Sequence, residues 1–331
     1  MKIAVLSDGA WGTALAMTLI DNGHEVVMHG PFPEYLAEMR EKRENVRFLP
    51  GVRLPDALEF EPDIARAVDG AELLVLATPT QYLRSVLANL KPHFDPQKHL
   101  LLDVAKGIEV GSWLLIHEMV EEVLGPNRYA VLSGPSHAEE VSRRIPTAVV
   151  AASRNPEDAR FVQKLFINDN FRVYTGSDVV GVELGGALKN VMAIAAGIID
   201  GMKLGDNPKA ALMTRGISEM GRLGELLGGS AQTFSGLSGI GDLIVTCTSG
   251  HSRNRHVGEE LGRGKKLPEI LQEMGMVVAE GVTTAQGAYT LARRVGAETP
   301  IIDEIHAILY HGRDVPTAVR NLMSRSAKPE L

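Results

Sequence analysis

Short strand-like runs alternate with amphipathic stretches through the first half of the chain, and this alternation sharply limits the possible folds. Strands that alternate with helices join through right-handed crossovers and build a mainly parallel sheet. From Asp178 onward only helical periods recur. We therefore predict a doubly wound α/β domain over residues 1–177 and an all-helical domain over residues 178–331.

The predicted strands are Lys2–Leu6, Glu25–His29, Glu72–Ala77, Leu100–Val104, Tyr129–Leu132, Ala148–Ala152 and Phe171–Tyr174. The helices predicted between them are Thr13–Asn22, Gln81–Leu90, Ser112–Leu124, Ala138–Arg143 and Pro156–Phe166. In the second half, Ser177 or Asp178 is expected to cap a long helix that ends near Gly201. Asn207 is expected to cap the next helix, with Pro208 in its first turn. Later helical periods are Glu259–Gly262, Pro268–Met274, Thr283–Val295 and Ile301–Tyr310, and Ser326–Leu331 is predicted to be frayed.

Charge and composition exclude several classes of function. The 331 residues carry a net charge of −7, which argues against nonspecific binding to nucleic acid or to an anionic membrane. The single cysteine, Cys247, excludes an intramolecular disulfide and fits a reducing cytoplasm. Asp8 interrupts the first apolar run, so we interpret that run as a buried strand rather than a signal peptide. No uninterrupted apolar run reaches the roughly 18 residues of a membrane span, and we expect a cytoplasmic protein.

Lys189 lies inside a long, mostly apolar stretch, residues 186–207. A lysine buried among apolar groups is costly to keep charged, so its pKa falls toward the range useful for a general base. On a helix, small residues spaced four apart would share its face and leave open space for a substrate or cofactor. Those residues are Gly181, Gly185, Ala193 and Gly197. The alternative is a close-packed helix whose lysine reaches the surface, and the helix pattern alone does not decide between them.

The turn after the first strand has the position of a dinucleotide-binding fingerprint. It reads Ser7-Asp8-Gly9-Ala10-Trp11-Gly12, with the second and third glycines in place and Ser7 at the first. Asp8 would repel a pyrophosphate unless its side chain points away. A plain strand–turn–helix without a ligand is the alternative. The second strand ends in Met28-His29-Gly30-Pro31, without the acid that binds an NAD ribose and without an arginine for a 2′-phosphate, so no coenzyme preference is predicted.

Two further segments follow predicted strands at the end where open α/β sheets bind ligands. Lys106 follows the strand Leu100–Val104 and suits an anionic substrate or a polarised oxygen, although an exposed loop lysine is the alternative. The segment 133–138 opens a helix, where backbone N–H groups and the Ser136 hydroxyl suit a phosphate or a cofactor. Helix capping by Ser136 is the competing interpretation.

The helical half contributes three more candidate groups. A glycine-rich loop over residues 236–241 permits close backbone approach, and Asp242 after it is placed to orient a lysine amine. Ser252, Arg253 and Asn254 stand at a helix start, a combination that suits a phosphate. The alternatives are an N-cap for Ser252, a surface charge for Arg253 and, for Glu280, a helix cap instead of a ribose or amide contact. The ten histidines show no HxxxH or Cys/His spacing, so no metal site is predicted.

Together these segments resemble the bacterial NAD(P)-dependent glycerol-3-phosphate dehydrogenase family. The matching motifs are Trp11-Gly12-Thr13-Ala14-Leu15-Ala16, Lys106-Gly107, Ser133-Gly134-Pro135, Gly186–Asn207, Gly239-x-Gly241-Asp242, Ser252-Arg253-Asn254 and Glu280-Gly281. The resemblance implies an N-terminal Rossmann domain, a C-terminal helical domain and a homodimer. It also implies reversible reduction of dihydroxyacetone phosphate by NAD(P)H to sn-glycerol 3-phosphate, which feeds phospholipid synthesis. The expectation of no nucleic-acid partner and no membrane insertion rests on the net charge and on the absence of a long apolar run.

The resemblance also implies a role for each matched residue. Lys189 would accept the proton when the alcohol is oxidised and donate it in reverse. The implied substrate site comprises Lys106, Gly134, Ser136, Lys189, Asp242, Ser252, Arg253 and Asn254. The implied cofactor site comprises Gly9, Ala10, Trp11, Gly12, Lys106, Ala138, Arg253, Val278 and Glu280. Ser7-Asp8 replaces the family's Gly-Ala, and Pro31 replaces a frequent Arg or His, so we expect a weakened or altered coenzyme preference.

Two other functions stay open at this point. One is a catalytically dead homologue that binds NAD(P) and senses metabolites, which Ser7-Asp8 favours and the retained lysines oppose. The other is a different hydroxyacid dehydrogenase of similar two-domain build. The long motif around Lys189 and the Ser252-Arg253-Asn254 segment weigh against it.

Overall fold

The computed structural model describes residues 1–275, 278–327 and 329. The strands are β1 (Lys2–Leu6), β2 (Glu25–His29), β3 (Glu44–Asn45), β4 (Leu49–Arg53), β5 (Glu59–Glu61), β6 (Leu73–Leu76), β7 (Leu100–Asp103), β8 (Arg128–Ser133), β9 (Thr147–Ala152) and β10 (Phe171–Gly176). The helices among them are α1 (Ala10–Asp21), α2 (Pro33–Lys42), α3 (Ile64–Val68), α4 (Thr80–Leu90), α5 (Ile116–Leu124), α6 (Ala138–Val141) and α7 (Pro156–Phe166). A short 3₁₀ turn, Lys91–His93, follows α4.

Eight strands form one sheet in the order β10-β9-β8-β7-β6-β1-β2-β5. All neighbours run parallel except β8 and β9, which are antiparallel. The chain builds outward from β1 in both directions, so the strand order reverses there. Ligands of open α/β sheets bind at the carboxyl ends of the strands beside such a reversal. The predicted doubly wound, mainly parallel sheet is confirmed.

The helices of the second half are α8 (Val179–Gly201), α9 (Asp206–Leu226), α10 (Ala231–Phe234), α11 (Asp242–Thr248), α12 (Arg253–Gly262), α13 (Leu267–Met274), α14 (Glu280–Val295), α15 (Pro300–His311) and α16 (Val315–Met323). A single π-helical turn, Leu237–Gly241, leads directly into α11. From Asp178 on, the described residues contain no strand, which agrees with the predicted helical half. The division into two domains at residue 178 stays a prediction.

Helix α8 is the central element of the helical half. Asp178 caps it, because the Asp178 carboxylate accepts a hydrogen bond from the Gly181 N–H at 2.8 Å. The helix is long and apolar enough to cross a membrane by composition, yet its most apolar window is entirely buried inside the protein. The apolar composition of α8 is therefore that of a helix surrounded by protein on every side.

Several predicted bounds are wrong. Helix α9 begins at Asp206 behind Gly205, whose φ of 92° suits glycine, so Asn207 is not its cap. Helix α5 begins at Ile116 rather than Ser112. The prediction also missed β3, β4, β5, α3, α10, α11 and α16, which are mostly too short to show a period. Of the residues predicted to be frayed, Lys328, Glu330 and Leu331 lie outside the described residues.

Candidate active site

The amine of Lys189 is buried at the centre of the molecule. Its side chain projects from α8 and the residue is 7% exposed. Nζ lies 2.6 Å from Asp242 Oδ1 and donates to the Thr246 hydroxyl at 2.8 Å. The interpretation of Lys189 as a lysine that reaches the surface is therefore wrong.

Lys106 reaches the same carboxylate from the sheet. It lies in the loop after β7, and its Nζ contacts the other oxygen of Asp242 at 2.6 Å and the Gly134 carbonyl at 3.1 Å. Its side chain is only 14% exposed, which excludes an ordinary exposed loop lysine. Gly186 leaves room for the Lys106 side chain, because a Cβ there would lie 3.0 Å from Ser133 Oγ and 3.3 Å from Lys106 Cγ. One aspartate thus bridges two ammonium groups that come from the two halves of the chain.

Asp242 owes its position to the π-helical turn before α11. Gly239 in this turn lies so close to the backbone of Phe234 that a Cβ would come within 2.1 Å of its carbonyl oxygen. Only glycine permits that close approach of the two backbone segments. The glycine-rich loop therefore packs tightly enough to place Asp242 beside Lys189. Asp242 itself is 1% exposed.

The electrostatics of this cluster favour a lysine that titrates near neutral pH. Burial lowers the pKa of Lys189 from 10.5 to about 8; the positive charge of Lys106 adds to the lowering, and Asp242 opposes it. Burial disfavours ionisation of Asp242, but the two ammonium groups outweigh it and lower the pKa of this carboxyl. The carboxylate of Asp242 therefore favours its ionised form beside Lys189, whose amine has a lowered pKa.

The open space predicted along the Lys189 face of α8 is absent for three of its four small residues. A Cβ on Gly197 would lie 1.9 Å from the Arg255 carbonyl oxygen, and one on Gly185 would lie 2.5 Å from the Ser238 carbonyl oxygen. Gly181 is equally filled, by Asp178 and Thr233. These glycines let other parts of the chain pack against α8, whereas Gly186 on the same helix faces Ser133 and Lys106.

The turn after β1 has the form of a dinucleotide-binding turn. Gly9 precedes α1 directly, and its N–H donates to Ser7 Oγ at 3.0 Å. A Cβ on Gly12 would meet Val5 and Ala77 at 3.2 Å, so this glycine allows α1 to pack closely on β1. Ala10 is buried and Trp11 is half-buried in the first turn of the helix. Ser7 keeps an ordinary negative φ, because it is not among the described residues with positive φ.

The turn after β8 lies at the same edge of the sheet. Gly134 has a φ of 144°, and a Cβ there would lie 3.0 Å from Val149 Cα, so glycine is required. Ser136 donates to the Gly134 carbonyl at 2.9 Å. Helix α6 begins at Ala138 behind His137 without a side-chain cap, so the capping interpretation of Ser136 is wrong.

The segment at the start of α12 combines structural and exposed groups. Ser252 is the N-cap, and its Oγ accepts from the Arg255 N–H at 3.2 Å. Arg253 is exposed, with Nη1 3.5 Å from the Val278 carbonyl. Asn254 is buried, donates to Asn190 Oδ1 and accepts from the Gly281 N–H, both at 2.9 Å. Its amide therefore joins three helices, and its direct contact with a substrate stays a prediction.

Glu280 connects the two halves of the chain. Its Oε1 accepts hydrogen bonds from the Thr80 N–H at 3.2 Å and from the Thr80 hydroxyl at 3.3 Å. Thr80 begins α4 beyond the carboxyl end of β6, beside the turn that follows β1. Glu280 is the first residue of α14 and the cap position is Ala279, so Glu280 does not cap its own helix by a side-chain bond.

Two site residues were missed in the sequence. Thr246 stands one helical turn after Asp242 on α11, and that spacing was the available signal. Asn190 donates to the Lys106 carbonyl at 3.1 Å, directly beside Lys189 in the chain. Both residues hold the lysine pair in place.

Half of the buried side-chain polar atoms without partners in the described part of the chain lie in this region. These four of the eight atoms are Asp8 Oδ2, Trp11 Nε1, Ser133 Oγ and His137 Nε2. All four belong to β8 or to segments that follow β1 and β8. Buried polar groups are normally hydrogen-bonded, so a polar ligand at this edge would satisfy them. These groups, together with the turn at Gly9 and Gly12, fit a dinucleotide. The described residues offer no group of three metal-ligating side chains.

The fold and the site together define a two-domain, nucleotide-dependent dehydrogenase. The sheet reverses its strand order at a glycine turn suited to a dinucleotide. A buried lysine with a lowered pKa faces the same edge.

Comparison with known proteins identifies the family. The sequence models of the NAD-dependent glycerol-3-phosphate dehydrogenase N-terminus and C-terminus match residues 2–159 and 178–320. The glycerol-3-phosphate dehydrogenase (NAD(P)+) of Geobacillus kaustophilus is 52% identical over 100% of this chain and 96% of its own length. The Bacillus subtilis (strain 168) enzyme of the same name is 48% identical over the same shares. The crystal structure of glycerol-3-phosphate dehydrogenase from Coxiella burnetii superposes with a TM-score of 0.94 at 38% identity, over 98% of this chain and 99% of that one. This chain belongs to the NAD-dependent glycerol-3-phosphate dehydrogenase family.

Proposed function

We propose that this protein reduces dihydroxyacetone phosphate to sn-glycerol 3-phosphate with NAD(P)H, reversibly, and so supplies glycerophospholipid synthesis. The observation that carries the proposal is the pair of lysines bridged by Asp242, with both N–O distances at 2.6 Å. Such a pair offers one amine to move a proton and a second positive charge to bind a polarised oxygen. Membership of the family supports the same reaction.

The nucleotide would lie against the turn after β1, and the nicotinamide would supply or accept the hydride at substrate C2. We assign its binding to Gly9, Ala10, Trp11, Gly12, Lys106, Ala138, Arg253, Val278 and Glu280. Glu280 already holds the start of α4 through Thr80, so it positions the wall of the cleft between the two halves.

Lys189 moves the proton in this proposal. In reduction, protonated Lys189 donates from Nζ to the C2 oxygen, and in oxidation neutral Lys189 accepts the hydroxyl proton. A positioned acid or base of this kind contributes about 10²–10⁴-fold to the rate. Asp242 and Thr246 fix the direction of Nζ, since both bond it in the protein as it stands.

The phosphate of the substrate would bind away from C2 and orient it. The exposed guanidinium of Arg253 and the hydroxyl of Ser252, which keeps its hydrogen while it caps α12, are suited to phosphate oxygens. We place Lys106, Gly134, Ser136 and Asn254 around the remainder of the substrate. The substrate is thus a small phosphorylated ketone or alcohol.

The experiment is the oxidation of NADH and NADPH, followed separately, by purified protein with dihydroxyacetone phosphate. Turnover dependent on this ketone supports the proposal. Cofactor binding without turnover would favour a metabolite sensor. Turnover with 2-oxo acids but not with the phosphorylated ketone would favour another hydroxyacid dehydrogenase.

We also propose that the protein works in the cytoplasm as a homodimer, without nucleic-acid partners and without membrane insertion. The net charge of −7 supports the absence of nucleic-acid partners, and the complete burial of the most apolar window of α8 supports the absence of membrane insertion. The dimer rests on the family resemblance. Light scattering of the purified protein tests the dimer, and a monomer mass would contradict it.

A further inference from the structure

The carboxylate of Asp8 lies at the end of β2, although Asp8 belongs to the turn after β1. A Cβ placed on Gly30 would come within 2.7 Å of Asp8 Oδ2 and 2.9 Å of Asp8 Cγ. The carboxylate therefore occupies the space that a side chain at residue 30 would fill. Oδ2 is buried and, within the described part of the chain, has no hydrogen-bond partner.

Neighbouring elements hold this turn in place. The side-chain amide of Asn45 donates to the Asp8 carbonyl and to the Thr13 hydroxyl, both at 2.8 Å. Asn45 Oδ1 in turn accepts from the Tyr35 hydroxyl at 2.5 Å. Asn45 is fully buried and is itself held by Thr13 of α1 and Tyr35 of α2, so its bond to the carbonyl fixes the backbone of Asp8.

The end of β2 is where Rossmann folds usually carry the acid that binds the adenosine ribose. Here β2 ends at His29, and Gly30 and Pro31 follow it directly in place of an acid. We propose that Asp8 supplies this missing ribose-binding carboxylate from the β1–α1 turn and thereby selects NADH over NADPH. The inference rests on the proposed function, because it requires that the protein binds a nicotinamide dinucleotide.

The electrostatics of the position support the selection. A ribose 2′-hydroxyl would donate to Asp8 Oδ2, whereas a 2′-phosphate would bring two negative charges beside a buried carboxylate. Burial lowers the pKa of His29, so its ring offers little positive charge to compensate. Arg47 is the other nearby cation, and its guanidinium stacks over the Tyr35 ring at 4.2 Å from the centroid.

The test compares NADH with NADPH on the same preparations of wild type, Asp8→Asn, Asp8→Ala and Arg47→Ala, with dihydroxyacetone phosphate as substrate. The ratio of kcat/KM for the two nucleotides is the readout, so a partly unfolded variant lowers both values and leaves the ratio meaningful. Asp56→Asn is the matched control, since Asp56 is an exposed aspartate in the loop between β4 and β5. A second measurement uses 2′-deoxy-NADH, which lacks the hydroxyl assigned to Asp8.

We expect wild type to prefer NADH by at least about tenfold, and both Asp8 variants to lose about tenfold or more of that preference. Wild type should use 2′-deoxy-NADH less well than NADH, and Asp8→Ala should not distinguish the two. A wild type that prefers NADPH and loses this preference on Arg47→Ala would overturn the inference. A ratio unmoved by Asp8→Asn would also overturn it.

Turnover tests the proposed function, whereas the ratio of NADH to NADPH use tests the role of Asp8. If neither nucleotide supports turnover, the proposed function fails, yet direct titration of NADH and NADPH fluorescence still measures their relative affinity. If turnover is present and the ratio does not depend on Asp8, the proposed function stands and the ribose assignment is wrong.

Discussion

At the scale of single residues, Lys189 is buried and lies beside the carboxylate of Asp242. Burial lowers the pKa of Lys189, whereas the carboxylate raises it. Burial dominates and brings the pKa of Lys189 to about 8. The amine is therefore present in both protonation states close to physiological pH. A residue that must accept a proton in one direction and donate it in the other needs this balance.

The pH dependence of the reaction follows from that pKa. Neutral Lys189 is the base in oxidation, so kcat/KM for glycerol 3-phosphate should rise with pH through about 8. Protonated Lys189 is the acid in reduction, so kcat/KM for dihydroxyacetone phosphate should fall through the same region. Initial rates from pH 6 to 10 check this, since kcat/KM reports the free enzyme. Two profiles without an inflection between about pH 7 and 9 would contradict the assignment.

Removing Lys106 should shift this inflection. The charge of Lys106 lowers the pKa of Lys189, so Lys106→Met should move the inflection to higher pH as well as weaken substrate binding. Lys164→Met, which changes an exposed lysine on α7, is the control and should leave the profile unchanged. If the inflection of the pH profile stays in place or moves to lower pH in Lys106→Met, the charge of Lys106 does not lower the pKa of Lys189.

At the scale of elements, the glycines of α8 form a packing seam. Gly197 and Gly201 on α8 face Gly258 and Gly262 on α12, and a Cβ on any of them would lie 1.9–2.5 Å from a backbone carbonyl of the other helix. The sequence showed the spacing of small residues on α8 but not what they contact. That partner lies some 60 residues away in sequence, and periodicity carries only local information.

We expect Gly197→Ala to destabilise the protein by about 3 kcal/mol or more, because the two helix backbones would have to separate. The control is Gly221→Ala in α9, where a Cβ would meet no atom within 4 Å. That change should instead stabilise by about 0.5–1 kcal/mol, through a lower chain entropy in the unfolded state. Urea unfolding measures both. If the two substitutions change the free energy of unfolding equally, Gly197 is not required for the close packing of α8 on α12.

The elements that the sequence predicted well are those with a strong local signal. β1 and β2 match their predicted bounds, as does α7, whose Pro156 and Asn155 mark its start. Strands β3 and β5 were missed because two or three residues show no period, and β4 was missed because its Pro50-Gly51 pair is typical of a turn. The start of α9 was misplaced because Asn207-Pro208 imitates a cap, while the actual cap is a glycine with positive φ.

At the scale of the whole molecule, the site lies between the two halves of the chain. Lys106 and Gly134 come from the sheet, whereas Lys189 and Asp242 come from the helical half. The sequence predicted these residues singly, and the family resemblance brought them together. The sequence predicted that Asp242 orients a lysine amine. It did not predict that this one carboxylate bridges both lysines, since contact between residues 106 and 242 depends on how the halves pack.

A ligand bound between the halves should stabilise the folded molecule as a unit. NADH at 100 times its Kd adds about 2.7 kcal/mol, which for a chain of this length raises Tm by about 4 °C. Thermal unfolding followed by circular dichroism measures this shift, and sodium chloride at the same ionic strength serves as the control. An unchanged Tm at saturating NADH would contradict a cofactor site between the halves.

The most direct measurement is the turnover of Lys189→Met beside wild type, with dihydroxyacetone phosphate and NADH. The methionine keeps an unbranched side chain as far as Cε and removes the amine. We predict that turnover falls about 10²–10⁴-fold while NADH still binds, because the turn after β1 is untouched. Near-normal turnover in a folded, NADH-binding Lys189→Met protein would show that Lys189 does not carry the proton.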